Sequence, residues 1–190
     1  MKINFITAGV DEVGRGCLAG PVVSAAVILK KKINLTILKD SKKINFKNRL
    51  EISEHIKKNS YFAIGLASVK EIFDFNILQA SLLSMNRAIN KLSKKPKLIL
   101  IDGPYAPKGL NNCKTIIKGD EKIKCISAAS IVAKVYRDSL MIKLSKDYKN
   151  YAWEKNFGYG TKAHIDGLEK FGITPHHRKG FKPIHNMLLR

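Results

Sequence analysis

The 190-residue chain holds one tryptophan, three cysteines and six prolines, and only 15 acidic side chains against 35 lysines and arginines. Each shortage excludes something. Cys17, Cys113 and Cys125 form no CxxC pair and cannot all be matched in disulfides, which argues against a disulfide-stapled scaffold and suits a reducing compartment. They read best as small, partly buried residues. No apolar run of about 18 residues and no signal-peptide pattern is present, so neither a membrane span nor a cleaved leader is expected, and the reading is cytoplasmic. Five histidines include the adjacent pair His176 and His177, yet no HExxH or Cys/His cluster has zinc spacing. There is no GxSxG or Cys/His nucleophile signature and no GxxxxGK(S/T) phosphate loop, so acyl transfer and nucleotide triphosphate hydrolysis lack their usual parts. Internal repeats, low-complexity blocks and linkers are absent too.

What remains is a balanced globular composition, 45% hydrophobic and 26% charged, and a length that suits a single domain with a core of ordinary size. The scarcity of acids leaves a net charge of +20, a field that attracts polyanions and makes nucleic acid the leading class of partner. Lysines scattered over a solvated surface are the plainer alternative.

Residues 6–11 read as a strand broken by Gly14 and Gly16, and PVVSAAVIL at 21–29 has the continuous apolar character of a strand covered on both faces. Asp40 and Ser41 offer an N-cap to a surface helix carrying Ile44, Leu50, Ile52 and Ile56. A third strand is expected over 61–69. Residues 71–93 space Ile72, Phe75, Leu78, Leu82, Met85, Ile89 and Leu92 by threes and fours, which predicts one long amphipathic helix. Strands at 96–102 and 114–118 follow. A helix over 126–148 carries Ala128, Ala129, Ser130 and Ala133 for close approach, with Lys134, Arg137 and Lys143 expected to face outward. A helix over 162–171 and a basic tail complete an α/β domain with a mixed β-sheet, helices on both faces and a mainly helical C-terminal region.

Four acids stand at the expected strand ends: Asp11, Glu12, Asp102 and Asp120. Each alone has a plain explanation in turn chemistry. Gathered at one sheet edge they would repel and raise one another's pKa unless a cation neutralised them, and an all-oxygen donor set favours Mg²⁺ or Mn²⁺ over zinc. Two such ions about 3.5–4 Å apart can hydrolyse a phosphodiester without any nucleophilic side chain. Asp138, within a helix rich in small residues, suits a structural ion pair with Arg137 or a nearby lysine instead.

GVDEVGRGCLAGPVVSAAV at 9–27, DSKK at 40–43, LIDG at 100–103, KGD followed by ISAASIVAKVYRD within 118–138, GYGTKAH at 158–164 and HHR at 176–178 occur in one order. By these blocks the chain resembles ribonuclease HII, the bacterial type 2 ribonuclease H, over almost its whole length. The resemblance implies a ribonuclease H-like fold over 1–190, with 150–190 as a substrate-contacting extension. It makes Asp11, Glu12, Asp102 and Asp120 the metal-binding catalytic carboxylates for Mg²⁺ or Mn²⁺. It gives Gly14, Arg15 and Gly16 the reading of the ribose 2′-hydroxyl and its phosphate, and Tyr159 the neighbouring deoxyribose. Lys42 and Lys43, beside an expected helix start, are as readily solvated as phosphate-bound.

The implied activity is endonucleolytic hydrolysis of the RNA strand of RNA/DNA hybrids, with cutting 5′ of single ribonucleotides in duplex DNA. The implied partners are RNA/DNA hybrid and ribonucleotide-containing DNA duplex, the protein acting as a monomer in ribonucleotide and primer removal. Phe157, where the family commonly has Lys, and Gly180, where Ser is usual, depart from the pattern and touch substrate affinity rather than the acids. The extra N-terminal domain of ribonuclease HIII has no room here. Two rivals remain: a non-catalytic hybrid-binding module, and another two-metal nuclease such as a junction resolvase, which would need no ribose.

Overall fold

The computed structural model describes residues 6–30 and 46–189. The expected cap at Asp40 and Ser41, the lysines Lys42 and Lys43, and Ile44 lie outside the described residues. Five strands form one sheet in the order β3-β2-β1-β4-β5: β1 (Thr7–Val13), β2 (Val22–Leu29), β3 (Ser60–Ala67), β4 (Leu98–Asp102) and β5 (Cys113–Ile116). Neighbours β1, β2 and β3 pair antiparallel, whereas β4 pairs parallel with both β1 and β5, which makes the sheet mixed. Every residue of β2 but Leu29 is buried, as its unbroken apolar run requires of a strand covered on both faces.

One face packs on α2 (Val69–Asn90), where Ala8, Val10, Ile28 and Ile101 meet Met85, Ala88 and Ile89. The other carries α1 (Phe46–Lys58) and α4 (Lys124–Ser145), where Ala25 and Val27 meet Ile56, Ala128, Ala129 and Val132. Helices therefore cover both faces as expected. The small residues of α4 let it approach so closely that a β-carbon at Gly9 of β1 would overlap the Cys125 backbone.

The sequence reading differs from the fold in four places. The long helix expected over 71–93 is broken at Asn76, whose φ of 66° and ψ of 166° are not helical; its Oδ1 accepts from the Leu78 and Gln79 amides and so caps the second segment. The break shifts the helical phase and leaves Phe75 half exposed. β1 does not end at Asp11 but runs on through Glu12 and Val13, because the ladder with β2 continues through Glu12↔Ser24 and Val13↔Val23. A short helix, α3 (Gly119–Lys122), follows β5 after a left-handed turn at Lys118. Arg137 does not face outward; it is completely buried.

After α4 the chain runs through a 3₁₀ turn at Lys149–Tyr151, then α5 (Trp153–Asn156), α6 (Lys162–Phe171) and α7 (Lys182–Leu188). Trp153, Tyr151, Leu168 and Ile184 share a core cluster with Leu18 and Ala19 of the β1–β2 loop and Met141 of α4. Through this cluster the C-terminal segment is packed against the loop that leaves β1. No helix among the described residues is long and apolar enough to cross a membrane.

Candidate active site

β1 and β4 run parallel with Val10 opposite Ile101, so the next rung sets Asp11 beside Asp102. Strand alternation turns both side chains toward α4, on the face shared by Gly9 and Leu100, and turns Glu12 the other way. Asp11 is 5% exposed. Its Oδ1 accepts from the Glu12 amide at 2.7 Å, and the Ser130 hydroxyl of α4 hydrogen-bonds the same carboxyl. Burial above all, then the charges of Glu12 and Asp102, hold the Asp11 carboxyl well above the usual carboxylate range, against the Ser130 hydrogen bond. Burial also raises Glu12, with Asp102 adding to the shift and Arg15 opposing it.

Asp102 is fixed by a 2.6 Å bond from the Gly119 amide to its Oδ1. Asp120 follows Gly119 in the first turn of α3, so the same bond ties its backbone to the Asp102 carboxylate. Asp11, Glu12 and Asp102 thus influence one another electrostatically, while Asp120 enters through its neighbour. Among the described residues no three His, Cys, Asp or Glu side chains already stand as a group able to hold a metal ion. The donor set nevertheless fits one: its atoms are carboxylate oxygens, Asp11 is buried and the other three acids half-buried, and the mutual repulsion of Asp11, Glu12 and Asp102 calls for a positive charge between them.

The GlyArgGly turn continues directly from these acids. Arg15 Nη1 donates to Glu12 Oε1 at 3.2 Å, so the side chain expected to hold a phosphate also neutralises a candidate ligand, and it remains 44% exposed. The two glycines differ. At Gly14, φ is +93° and a β-carbon would overlap the Arg137 side chain; at Gly16 a β-carbon would meet no atom within 4 Å. Gly14 is required by internal packing, whereas Gly16 presents bare backbone to open space.

Tyr159 is 40% exposed, with the Lys134 ammonium 5.7 Å from its ring centre and its hydroxyl hydrogen-bonded to Cys17. Its carbonyl accepts from His164 Nδ1 at 2.9 Å. That bond fixes the tautomer: His164 Nε2 carries no proton and accepts from Trp153 Nε1 and from His177 Nε2, each at 3.0 Å. His177 Nδ1 in turn accepts from the Thr174 amide at 2.9 Å. Both imidazoles are neutral. Burial, helped by His164, pushes His177 down to about 3. The GYGTKAH and HHR blocks therefore meet in one buried network beneath Tyr159.

Sequence reasoning gave no part at the site to Ser130, Cys17 or the inward arginines Arg137 and Arg178, although each lies within a block quoted above. Asp138 is the structural pair it was read as, with Lys134 at 2.9 Å and Arg49 at 3.8 Å rather than with Arg137.

A mixed sheet in the order 3-2-1-4-5 with acids on the adjacent parallel strands β1 and β4 defines the ribonuclease H-like class of α/β nucleases. Within that class, the family model described as ribonuclease HII matches residues 8–184, and the chain belongs to that family. A relative from Pelagibacter ubique (strain HTCC1062) named ribonuclease HII is 57% identical over 185 residues, covering 96% of this chain and 99% of its own. The crystal structure of ribonuclease H2 from Pyrococcus horikoshii OT3 superposes with a TM-score of 0.81 at 26% identity, covering 95% of this chain and 96% of that one. A Bst-RNase HIII structure in complex with Mn²⁺ superposes with a TM-score of 0.71 at 17% identity, over 96% of this chain and 69% of that one, a likeness of fold. The chain is a member of an endonuclease family of ribonuclease H activity.

Proposed function

We propose that this endonuclease hydrolyses the RNA strand of RNA/DNA hybrids and cuts 5′ of single ribonucleotides in duplex DNA, leaving 5′-phosphate and 3′-hydroxyl ends. The observation that carries the reading is Asp11, buried and pressed by Glu12 and Asp102, at the root of a glycine turn open to solvent, on a chain of net charge +20.

Asp11, Glu12, Asp102 and Asp120 would hold Mg²⁺ or Mn²⁺, which when bound activate water for attack on the phosphodiester and stabilise the departing 3′ oxygen. The chain's own residues prepare the site. Ser130 and the Gly119 amide orient the Asp11 and Asp102 carboxylates, and Arg15 meets a phosphate from the edge of the turn. Gly16 lets backbone groups approach a 2′-hydroxyl that a side chain would obstruct. Tyr159 offers its exposed ring to the adjoining deoxyribose. On this reading the protein acts as a cytoplasmic monomer, one domain with residues 150–190 as a substrate-contacting extension, in ribonucleotide and RNA primer removal.

The direct test is a labelled DNA duplex containing one ribonucleotide, incubated with Mg²⁺ or Mn²⁺ beside an all-DNA control. A metal-dependent cut immediately 5′ of the ribonucleotide is expected. Cleavage of the control would favour a broader nuclease, and binding without cleavage a non-catalytic module.

Gly16→Ala separates recognition from folding. Its β-carbon meets nothing within the protein, so melting should move by less than about 2 °C, within the range of ordinary surface substitutions. Cleavage at a single ribonucleotide should fall about tenfold or more, as expected when a backbone contact is obstructed. Unchanged cleavage would take Gly16 out of the ribose contact.

A further inference from the structure

Two buried guanidinium groups hold the loop that contains the GlyArgGly turn. Arg137 of α4 and Arg178 of the C-terminal segment are 0% and 1% exposed. Among the described residues neither forms a salt bridge; their partners are backbone carbonyls. Arg137 donates Nε to Pro21 O at 2.9 Å, Nη2 to Ala19 O at 2.9 Å and Nη1 to Phe157 O at 2.8 Å. Arg178 donates Nε to Gly20 O and Nη1 to Arg15 O, both at 2.9 Å. The main chain adds Leu18 N to Gly158 O at 2.8 Å and Arg178 N to Leu18 O at 2.8 Å.

Sequestering a cation without a salt-bridge partner is costly even where, as for Arg137, the Asp138 charge lies nearby, and carbonyl dipoles only partly replace water. Such groups need a geometric reason. Four inward carbonyls between Arg15 and Pro21 would repel one another without donors at their centre, and a rigid planar fork supplies several donors at fixed angles where an ammonium supplies a point charge. Arg137 also fills the space in which a side chain at Gly14 would lie, and its bond to Phe157 reaches the loop that bears Tyr159.

We infer that Arg137 and Arg178 are positioning residues that lock the 14–21 turn and the 157–159 loop into one rigid reader, so that the spacing between ribose contact and Tyr159 sets selectivity for an RNA-to-DNA step. The inference rests on the function proposed above and assigns neither arginine a contact with substrate.

The test is kcat/KM for Arg137→Lys and Arg178→Lys on a DNA duplex with one ribonucleotide and on a continuous RNA/DNA hybrid, each with and without Tyr159→Ala. In the Lys variants the single-ribonucleotide value should fall about 10²-fold, as small misplacements do, with the hybrid value changed less. In the Tyr159→Ala background the same Lys substitutions should change the ratio of the two substrates by less than about threefold, because residues acting through one unit are not additive. Equal losses on both substrates, or additive losses in the double variants, would reduce the arginines to general fold support and overturn the inference. Should Arg137→Lys fail to fold by circular dichroism, Arg178→Lys, which leaves the Arg137 bonds in place, decides the matter on the same readings. Parent protein that ignores ribose would sink the proposed function itself; ribose-dependent parent with unchanged ratios in the variants sinks only this inference.

Discussion

Asp102→Asn is expected to lower cleavage of a ribonucleotide-containing duplex by about 10³-fold or more, the loss of several kcal/mol of transition-state stabilisation, with duplex binding nearly unchanged. Asparagine keeps the shape and an oxygen for the Gly119 amide, so the local structure persists. It removes one negative charge from a neighbourhood where Asp11 and Glu12 are both raised in pKa, first by burial and further by Asp102. The metal-free variant should therefore melt higher than the metal-free parent, each 1 kcal/mol of relief reading as about 2–4 °C in a chain of this size. Mg²⁺ or Mn²⁺ should raise the parent's melting temperature more than the variant's, since a ligand stabilises by its affinity for the native state. Normal turnover would remove Asp102 from the site. A lower melting temperature with the parent's metal response would leave it only its bond to α3.

Trp153→Ala should cost about 3–5 kcal/mol, the usual range for emptying a buried aromatic site, and lower melting by about 6–20 °C. The indole is completely buried, stacks on Tyr151 with centroids 5.3 Å apart and lies 5.5 Å from Tyr148. Its N–H donates to His164, the imidazole that holds the Tyr159 carbonyl. Truncation therefore opens a cavity in the cluster that contains Leu18 and Ala19 and removes one of the two donors to His164 Nε2. Trp153→Phe, which keeps most of the packing and loses the N–H, should fall between the two. A melting curve indistinguishable from the parent's would show that the C-terminal segment contributes nothing to the cooperative core.

Much of the fold was legible because its signals are local. The run at 21–29 has no polar face to present to water, and the pattern over 162–171 gives α6 at the expected bounds. Ala128, Ala129 and Ala133 announced a close helix–sheet contact, and Gly9 is its counterpart. Asn76 misled the reading of α2 because apolar spacing continues across it and only the backbone conformation breaks. Arg137 misled it because a charged residue on a helix is ordinarily solvated, and the carbonyls that overrule the rule come from Ala19, Pro21 and Phe157, distant in the chain. The acids Asp11 and Glu12 were recognisable as a pair. That β1 continues past Asp11 through Glu12 and Val13 depends on pairing with β2, which a strand read alone does not reveal.

The bond from Arg178 to the Arg15 carbonyl spans 163 residues. At a synthesis rate of roughly 5–20 residues per second, about 8–30 s separate the translation of the turn from that of the side chain that fixes it. β1 through β4 can pair before then, so a nascent chain on the ribosome can assemble the strands bearing Asp11, Glu12 and Asp102 while its reader is still unlatched. If Arg178 is the latch inferred above, the order of synthesis would make selectivity the last property the chain acquires, and a chain truncated before Arg178 would carry the proposed metal-binding acids without that latch.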